Sequence, residues 1–214
     1  MCSDGVRHEA QVSESAMLQA WEMVAQDLSG FSTEDVKAIS LHAMHHMTPE
    51  QLAQLSELGT AGLRAEQIRL LSPEQIAALQ HLDWVSPQAT AGFTPEQIAH
   101  LSLAQFAALN YPDWLGPRVV AALRAEHIVL MAVHWGWMSN DWVSALSPRV
   151  MPAIEPTLLA QLTPTATTGL AAQQLRGMHP DQIRALRYPQ ALSPAAKSAL
   201  SAEQTRALRA ESAC

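Results

Sequence analysis

Apolar residues recur along this 214-residue chain in a unit of eight positions. The unit opens with an apolar residue, continues with Ser or Thr, Pro, Glu and Gln, and places a second apolar residue at position 6 before two variable positions. Positions 1, 6 and 9 then lie on one side of a short helix and predict a shared core. We call this unit the octad. Clear copies begin at Phe31, Met47, Leu63, Leu71, Phe93, Leu123, Met178 and Leu200.

The polar positions of the octad suit a helix N terminus. Ser or Thr at position 2 is a preferred N-cap, Pro at position 3 fits the first helical residue, and Glu at position 4 favours the positive end of the helix dipole. Glu or Gln at position 5 completes a capping box. Because Pro inside a helix costs about 3 kcal/mol, the pattern predicts many short helices, each newly capped. Ten prolines occupy position 3: Pro49, Pro73, Pro87, Pro95, Pro117, Pro148, Pro156, Pro164, Pro180 and Pro194.

A longer period is superimposed on the octads. Residues 63–92 and 93–122 each consist of segments of eight, fourteen and eight residues, and residues 170–199 repeat the same division. A fixed period in the range of roughly 20–50 residues indicates a solenoid or array. The predicted fold is therefore all-α, an α-solenoid-like array of short Pro-capped helices in super-repeats of about 30 residues, each with three short helices.

The spacing of the super-repeats predicts the organisation of the chain. The super-repeat at Leu63 is followed without a gap by those at Phe93 and Leu123, whereas the next begins only at Leu170, after a longer interval. The predicted segments are a disordered lead (1–15), an N-terminal capping helix (16–30), a first repeat array (31–128), a register break or hinge (129–145), and a second array with a C-terminal cap (146–214).

The register break contains three of the six tryptophans and is the predicted contact site, because functional sites are expected where local consistency fails. The alternative is a hinge that packs two half-arrays around large aromatic residues. Trp84 and Trp114 hold equivalent places in the super-repeat, and we expect them to be core residues, with an exposed aromatic ladder as the alternative. The candidate binding residues are His134, Trp135, Trp137, Asn140, Asp141 and Trp142.

Possible metal chemistry is confined to His42, His45 and His46, whose spacing can place imidazoles on one helix face. The octad offers a different explanation, because His45 and His46 fall at the variable positions 7 and 8 and are then surface residues. The glutamates at position 4 are explained by capping, and the chain has no phosphate-binding loop, nucleophile elbow or zinc-protease motif. We therefore expect no catalytic set, no metal and no cofactor.

Composition restricts the class of partner. The net charge is −7, from 13 Lys and Arg against 20 Asp and Glu, which argues against nucleic-acid binding because phosphates require clustered cations. No apolar run approaches the ~18 residues of a membrane span, and no signal-peptide pattern opens the chain. The only cysteines, Cys2 and Cys214, stand at opposite ends and predict no disulfide framework.

The octad openings at Met47, Leu71 and Phe93, which read Thr-Pro-Glu-Gln or Ser-Pro-Glu-Gln, resemble the opening helix of repeats in bacterial α-solenoid effectors of the TAL type. The resemblance covers about ten residues of each repeat and implies a bacterial repeat protein that a secretion system delivers. The shorter period, the absence of a base-reading dipeptide loop and the acidity of the chain mean that DNA recognition is not carried over.

The sequence thus predicts a non-enzymatic helical-repeat scaffold that binds another protein. A TAL-like nucleic-acid-binding repeat protein and a metal-binding or enzymatic protein using His42, His45 and His46 are the alternatives. The expected location is the bacterial cytoplasm or, by a non-classical route, outside the cell.

Overall fold

The structure is a computed structural model that describes residues 27–210. Short helices follow one another throughout these residues. These residues contain α-helices of four to nine residues and short 3-10 helices, without a β-strand. The predicted all-α repeat array is therefore confirmed. The disordered lead predicted for residues 1–15 and most of the capping helix predicted for residues 16–30 lie outside the described residues.

The described chain divides into two compact units, the first ending at Tyr111 and the second beginning at Pro112. Unit 1 contains α1 Thr33–Ala38, α2 Leu41–His46, α3 Pro49–Leu52, α4 Glu57–Ala61, α5 Ala65–Leu70, α6 Pro73–Ala78, the 3-10 helix Leu82–Trp84, α7 Pro87–Thr90, α8 Pro95–His100 and α9 Leu103–Ala107. Unit 2 contains the 3-10 helix Pro112–Trp114, α10 Pro117–Ala122, α11 Ala125–Leu130, the 3-10 helix Ala132–Trp137, α12 Asn140–Ala145, the 3-10 helix Met151–Ala153, α13 Pro156–Leu159, α14 Pro164–Thr168, α15 Ala172–Arg176, α16 Pro180–Arg184, the 3-10 helix Pro189–Ala191, α17 Pro194–Ser198 and α18 Ala202–Ala210.

The predicted capping chemistry is present at the helix starts. In α8, the Thr94 hydroxyl accepts a hydrogen bond from the backbone N–H of Gln97, and the Gln97 side chain accepts one from the N–H of Thr94. Nine of the ten position-3 prolines begin an α-helix. The exception is Pro148, which lies in a turn that precedes the 3-10 helix Met151–Ala153.

The core consists mainly of the apolar residues at positions 1 and 6 of the octads. Leu71 and Ile76, at positions 1 and 6 of one octad, are almost fully buried, as are Phe93 and Ile98 of a later one. The fourteen-residue segments bury additional residues, because each is an α-helix followed by a 3-10 helix, as in α6 and Leu82–Trp84.

Position 5 carries the contact that joins one coil of about 30 residues to the preceding coil. The buried side chain of Gln97 accepts from the N–H of its own N-cap, and its Nε2 donates to the carbonyl oxygens of Ile68 and Leu71, both at 2.7 Å. We call this arrangement the glutamine clamp. Two-acceptor clamps on earlier carbonyls are made by Gln67, Gln75, Gln97, Gln174, Gln182 and Gln204.

The clamps show that unit 2 repeats unit 1 at a constant offset along the chain. Gln97 donates to the carbonyl oxygen of Ile68, and Gln204 donates to that of Leu175. The number of residues from Gln97 to Gln204 equals the number from Ile68 to Leu175. We call the interval from Gln97 to Gln204 the duplication offset. Helix bounds agree with it, because α1, α3 and α4 correspond residue for residue to α12, α13 and α14. The chain thus contains an internal structural duplication, of residues 31–102 in residues 138–209.

The duplication explains the long interval from Leu123 to Leu170. The octad register resumes at Met138, and the stretch from there to Leu170 matches, at equal length, the stretch from Phe31 to Leu63. The irregular segment is therefore the 3-10 helix Ala132–Trp137, which is shorter than the predicted break at 129–145. The two compact units divide earlier, after Tyr111.

Two equivalent glycines mark a second point where coils approach closely. A Cβ on Gly62 would overlap the backbone carbonyl oxygen of Thr33, and a Cβ on Gly169 would overlap that of Asn140, again separated by the duplication offset. No glycine among residues 27–210 has a positive φ. Close packing of neighbouring coils, rather than backbone conformation, therefore requires glycine at these two positions.

We expect Gln97→Ala to lower the free energy of unfolding by about 2–4 kcal/mol, because it removes three hydrogen bonds made by a buried side chain. Gln80→Ala is the control, since that side chain is exposed and should contribute less than about 0.5 kcal/mol. Urea denaturation of both variants measures the difference. Equal losses would show that the clamp does not stabilise the stacked coils.

We expect Gly169→Ala to destabilise the protein by about 2 kcal/mol or more, because the added methyl group meets backbone rather than a movable side chain. In Gly136→Ala the nearest atom, the carbonyl oxygen of Gln161, is at 3.8 Å, so this control should unfold near the wild-type temperature. Thermal unfolding followed by circular dichroism compares them, and similar melting temperatures would contradict the close approach.

Candidate protein-binding surface

The six candidate binding residues separate into buried and accessible groups. Trp135 and Trp142 are buried, with T-shaped ring packing at a centroid distance of 6.3 Å. The prediction that these two side chains contact a partner is therefore wrong, because they fill the core of unit 2. His134 is half-buried, whereas Trp137, Asn140 and Asp141 are exposed.

Trp142 takes the place of a clamp glutamine. It stands at position 5 of the octad that begins at Met138, and its indole Nε1 donates to the carbonyl oxygen of Pro112 at 3.2 Å, in the preceding coil. The indole thus supplies one of the two hydrogen bonds that the Nε2 of a clamp glutamine donates. The aromatic residue that broke the sequence pattern preserves the stacking contact.

Three large apolar side chains of the segment are exposed. Trp137 is 78% exposed and Val133 80% exposed, both on the 3-10 helix Ala132–Trp137, and Val129 near the end of α11 is also exposed. We call these three residues the Trp137 surface. They follow one another at intervals of four residues. Large apolar side chains that remain in water next to a packed core are typical of interaction sites when they occur together.

Trp84 and Trp114 were expected in the core, and this expectation is wrong. They are 41% and 46% exposed, because each ends a 3-10 helix whose buried residue is Leu82 in one case and Pro112 in the other. In unit 2, the 3-10 helix that carries Trp114 packs against Ala132–Trp137. The alternative of exposed aromatic residues at equivalent places is the one that the structure supports.

The three histidines of α2 lie close together at the surface. The ring of His46 is 4.7 Å from that of His42 and 5.3 Å from that of His45, measured between centroids, and all three side chains are exposed. Within residues 27–210, no group of three or more His, Cys, Asp or Glu side chains is arranged to hold a metal ion. The stretch does not add an acidic or thiolate ligand to the imidazoles, and metal binding by these three residues stays an untested alternative.

His127 occupies position 5 of the octad that begins at Leu123, where other octads have glutamine. The side chain is buried, and its Nδ1 accepts a hydrogen bond from the backbone N–H of Arg124 at 3.1 Å. Burial lowers the pKa of His127 below its usual value of 6.5, and the charge of Arg124 lowers it further. The neutral imidazole is therefore the form that caps α11.

None of the helices between residues 27 and 210 has the length and apolar character that a membrane crossing needs. Comparisons with protein-family models, with curated proteins and with solved structures gave no match to this chain. The function must therefore be inferred from the geometry of the chain itself.

We expect His127 to make stability depend on pH. Because the folded-state pKa lies below the unfolded-state value of about 6.5, the stabilisation is fully present above pH 6.5 and is lost as the pH falls towards the folded-state pKa. Protonation of Nδ1 also removes the acceptor for the N–H of Arg124.

His127→Gln should weaken this dependence, because glutamine caps equivalent helices without titrating. The urea midpoints at pH 7.5 and pH 5.5 measure it, with the exposed His100→Gln as the matched control. The pH dependence should be reduced in the first variant and retained in the second. Equal pH dependence in wild type and both variants would refute the role of His127.

Proposed function

We propose that this protein is a non-enzymatic helical-repeat scaffold that binds another protein through the Trp137 surface. The observation that carries the proposal is the exposure of Trp137 and Val133, at 78% and 80%, on one short helix. Tryptophan is enriched at the centres of protein interfaces, where its burial contributes strongly to binding. Delivery as a bacterial secreted effector is a further part of the proposal and rests on the TAL-type resemblance alone.

The glutamates at position 4 fit a structural role at helix starts. Hydrogen bonds from their own backbone N–H groups lower the pKa values of Glu50 and Glu74, which agrees with the capping role of position 4. The clamped coils hold the backbone that presents the Trp137 surface, since α13 packs against the 3-10 helix Ala132–Trp137. Stacked coils of this kind present side chains from rigid elements.

Trp137→Ala combined with Val133→Ser is expected to abolish capture of the partner from cells that make this protein, because both apolar contacts are removed. Neither side chain belongs to the core, so the melting temperature should change little. Leu58→Ala is the matched control, because Leu58 is a 60% exposed apolar residue of unit 1.

Capture by affinity purification and mass spectrometry should give the same protein with wild type and Leu58→Ala, and lose it with the double variant. A photo-crosslinking amino acid at position 137, and none at position 58, should form a covalent adduct with that protein. Identical captured proteins for all three chains, or no adduct at position 137, would contradict the proposal.

A further inference from the structure

The two units carry opposite net charge. Residues 27–111 contain three Lys or Arg and nine Asp or Glu, a net charge of −6, whereas residues 112–210 contain nine and six, a net charge of +3. Unit 2 is therefore basic, although the whole chain has a negative net charge. A net positive charge favours the approach of anionic partners to unit 2.

Four arginines of unit 2 form a regular arrangement. Arg184 ends α16 and Arg187 follows three residues later, while Arg206 and Arg209 repeat this spacing on α18. The helices α16 and α18 pack against each other, and all four arginine side chains are exposed. We call these four residues the arginine array.

The duplication shows that the fold does not require these arginines. The positions of unit 1 that lie one duplication offset earlier are Ala77, Gln80, Ala99 and Ser102, and the corresponding helices α6 and α8 pack against each other in the same way. The clamps are kept in both copies, as are buried positions such as Ile76 and Leu79, which correspond to Ile183 and Leu186, whereas the exposed arginines of the array are present in unit 2 alone. The array is thus a property of unit 2 that stacking of the coils does not explain.

Local contacts leave positive charge available on the array. Arg184 pairs with Asp181 at 2.6 Å, Arg187 lies over the ring of Tyr188 at 5.5 Å from its centroid, and Nε of Arg206 donates to the carbonyl oxygen of Ala202 at 3.4 Å. The acidic residues at position 4 of the two octads are Asp181 and Glu203, two carboxylates for four guanidinium groups. Each guanidinium has several N–H donors. The exposed arginine side chains can therefore bind carboxylate oxygens of a partner in addition to the contacts within the chain.

We propose that the arginine array binds a short acidic segment of a protein partner. This inference rests on the proposed function and assigns the partner a chemical character. Charge complementarity favours carboxylates over a long polyanion, because the array covers two helices only and the rest of the chain is strongly acidic. A duplex or a long single strand would extend beyond the array, onto parts of a chain whose net charge is −7.

The direct test uses a fluorescent peptide of twelve glutamates and measures its anisotropy on titration with the full chain at low salt. Arg184→Ala, Arg187→Gln, Arg206→Ala and Arg209→Ser together install the residues of unit 1, so the variant should keep its circular dichroism spectrum and melting temperature. Its affinity for the peptide should fall by about tenfold or more. Added salt should weaken the wild-type complex in the same direction.

A charge-matched pair separates the array from overall charge. Arg206→Ala with Arg209→Ser should weaken peptide binding, whereas Arg118→Ala with Arg149→Ala, which removes the same charge from exposed positions of the same unit, should not. Adding Ala77→Arg, Gln80→Arg and Ala99→Arg to the four-residue variant should restore binding in part, since the equivalent positions of unit 1 then carry the arginines. Equal loss in the two charge-matched pairs would overturn the proposal.

Other occupants are outcomes of the same experiment. Tighter array-dependent binding of a twelve-nucleotide single strand than of the peptide would show that the occupant is nucleic acid and would overturn the proposal. So would sedimentation that finds a wild-type dimer which the four-residue variant does not form, because the occupant would then be a second copy.

The Trp137→Ala and Val133→Ser variant makes the two proposals distinguishable. It should bind the peptide as wild type does, because neither residue belongs to the array. Peptide binding that does not depend on the array, together with partner capture that depends on Trp137, would refute this inference alone. Array-dependent peptide binding without Trp137-dependent capture would refute the proposed function alone.

Discussion

A helix of six residues is unstable in water, because forming its first turn fixes several residues for few hydrogen bonds. Every α-helix of unit 1 in the described chain has six residues or fewer. In the octads that have a clamp glutamine, the clamp stabilises such a helix by bonding it to the preceding coil. One amide side chain accepts from the start of its own helix and donates to two carbonyls of the preceding coil, so local capping and stacking of the coils depend on the same residue.

The clamp also explains why the surface can vary. The apolar positions 1 and 6 and the clamp at position 5 determine how coils stack, whereas positions 7 and 8 and the 3-10 helices are free to differ. The two copies of the duplication differ there. Unit 1 has Ala77 and Ala99 where unit 2 has Arg184 and Arg206, although the clamps on Ile68 and Leu175 are equivalent. A shared backbone architecture with different surfaces is a common basis for binding specificity in repeat proteins.

The octad made the short helices, their N-caps and the buried positions predictable, because each depends on local chemistry. The bonds between coils were not predicted, although the sequence contains a signal for them. Glutamate would complete a capping box as well as glutamine does, but only glutamine has an N–H₂ group to donate to another coil. Its recurrence at position 5, as in Gln67, Gln97 and Gln204, indicates a second bonding role.

The candidate site was predicted less well, for geometric reasons. Sequence spacing located the aromatic residues of 129–145 but could not distinguish Trp137, at the surface, from Trp142, whose indole replaces a clamp amide. The duplication was obscured because Trp142 stands at position 5, where the octad usually has glutamine. Trp84 and Trp114 were assigned to the core because their burial depends on the orientation of a 3-10 helix, which periodicity does not specify.

Native-state hydrogen exchange tests the clamp most directly. The backbone N–H groups of Thr94 and Ser201 donate to the side chains of clamp glutamines. Ser86 and Ser193 hold the same octad position, but position 5 of their octads is alanine, whose side chain cannot accept a hydrogen bond. The clamp account predicts that the first two amides exchange about tenfold or more slowly than the second two. Equal exchange rates at the four positions would contradict it.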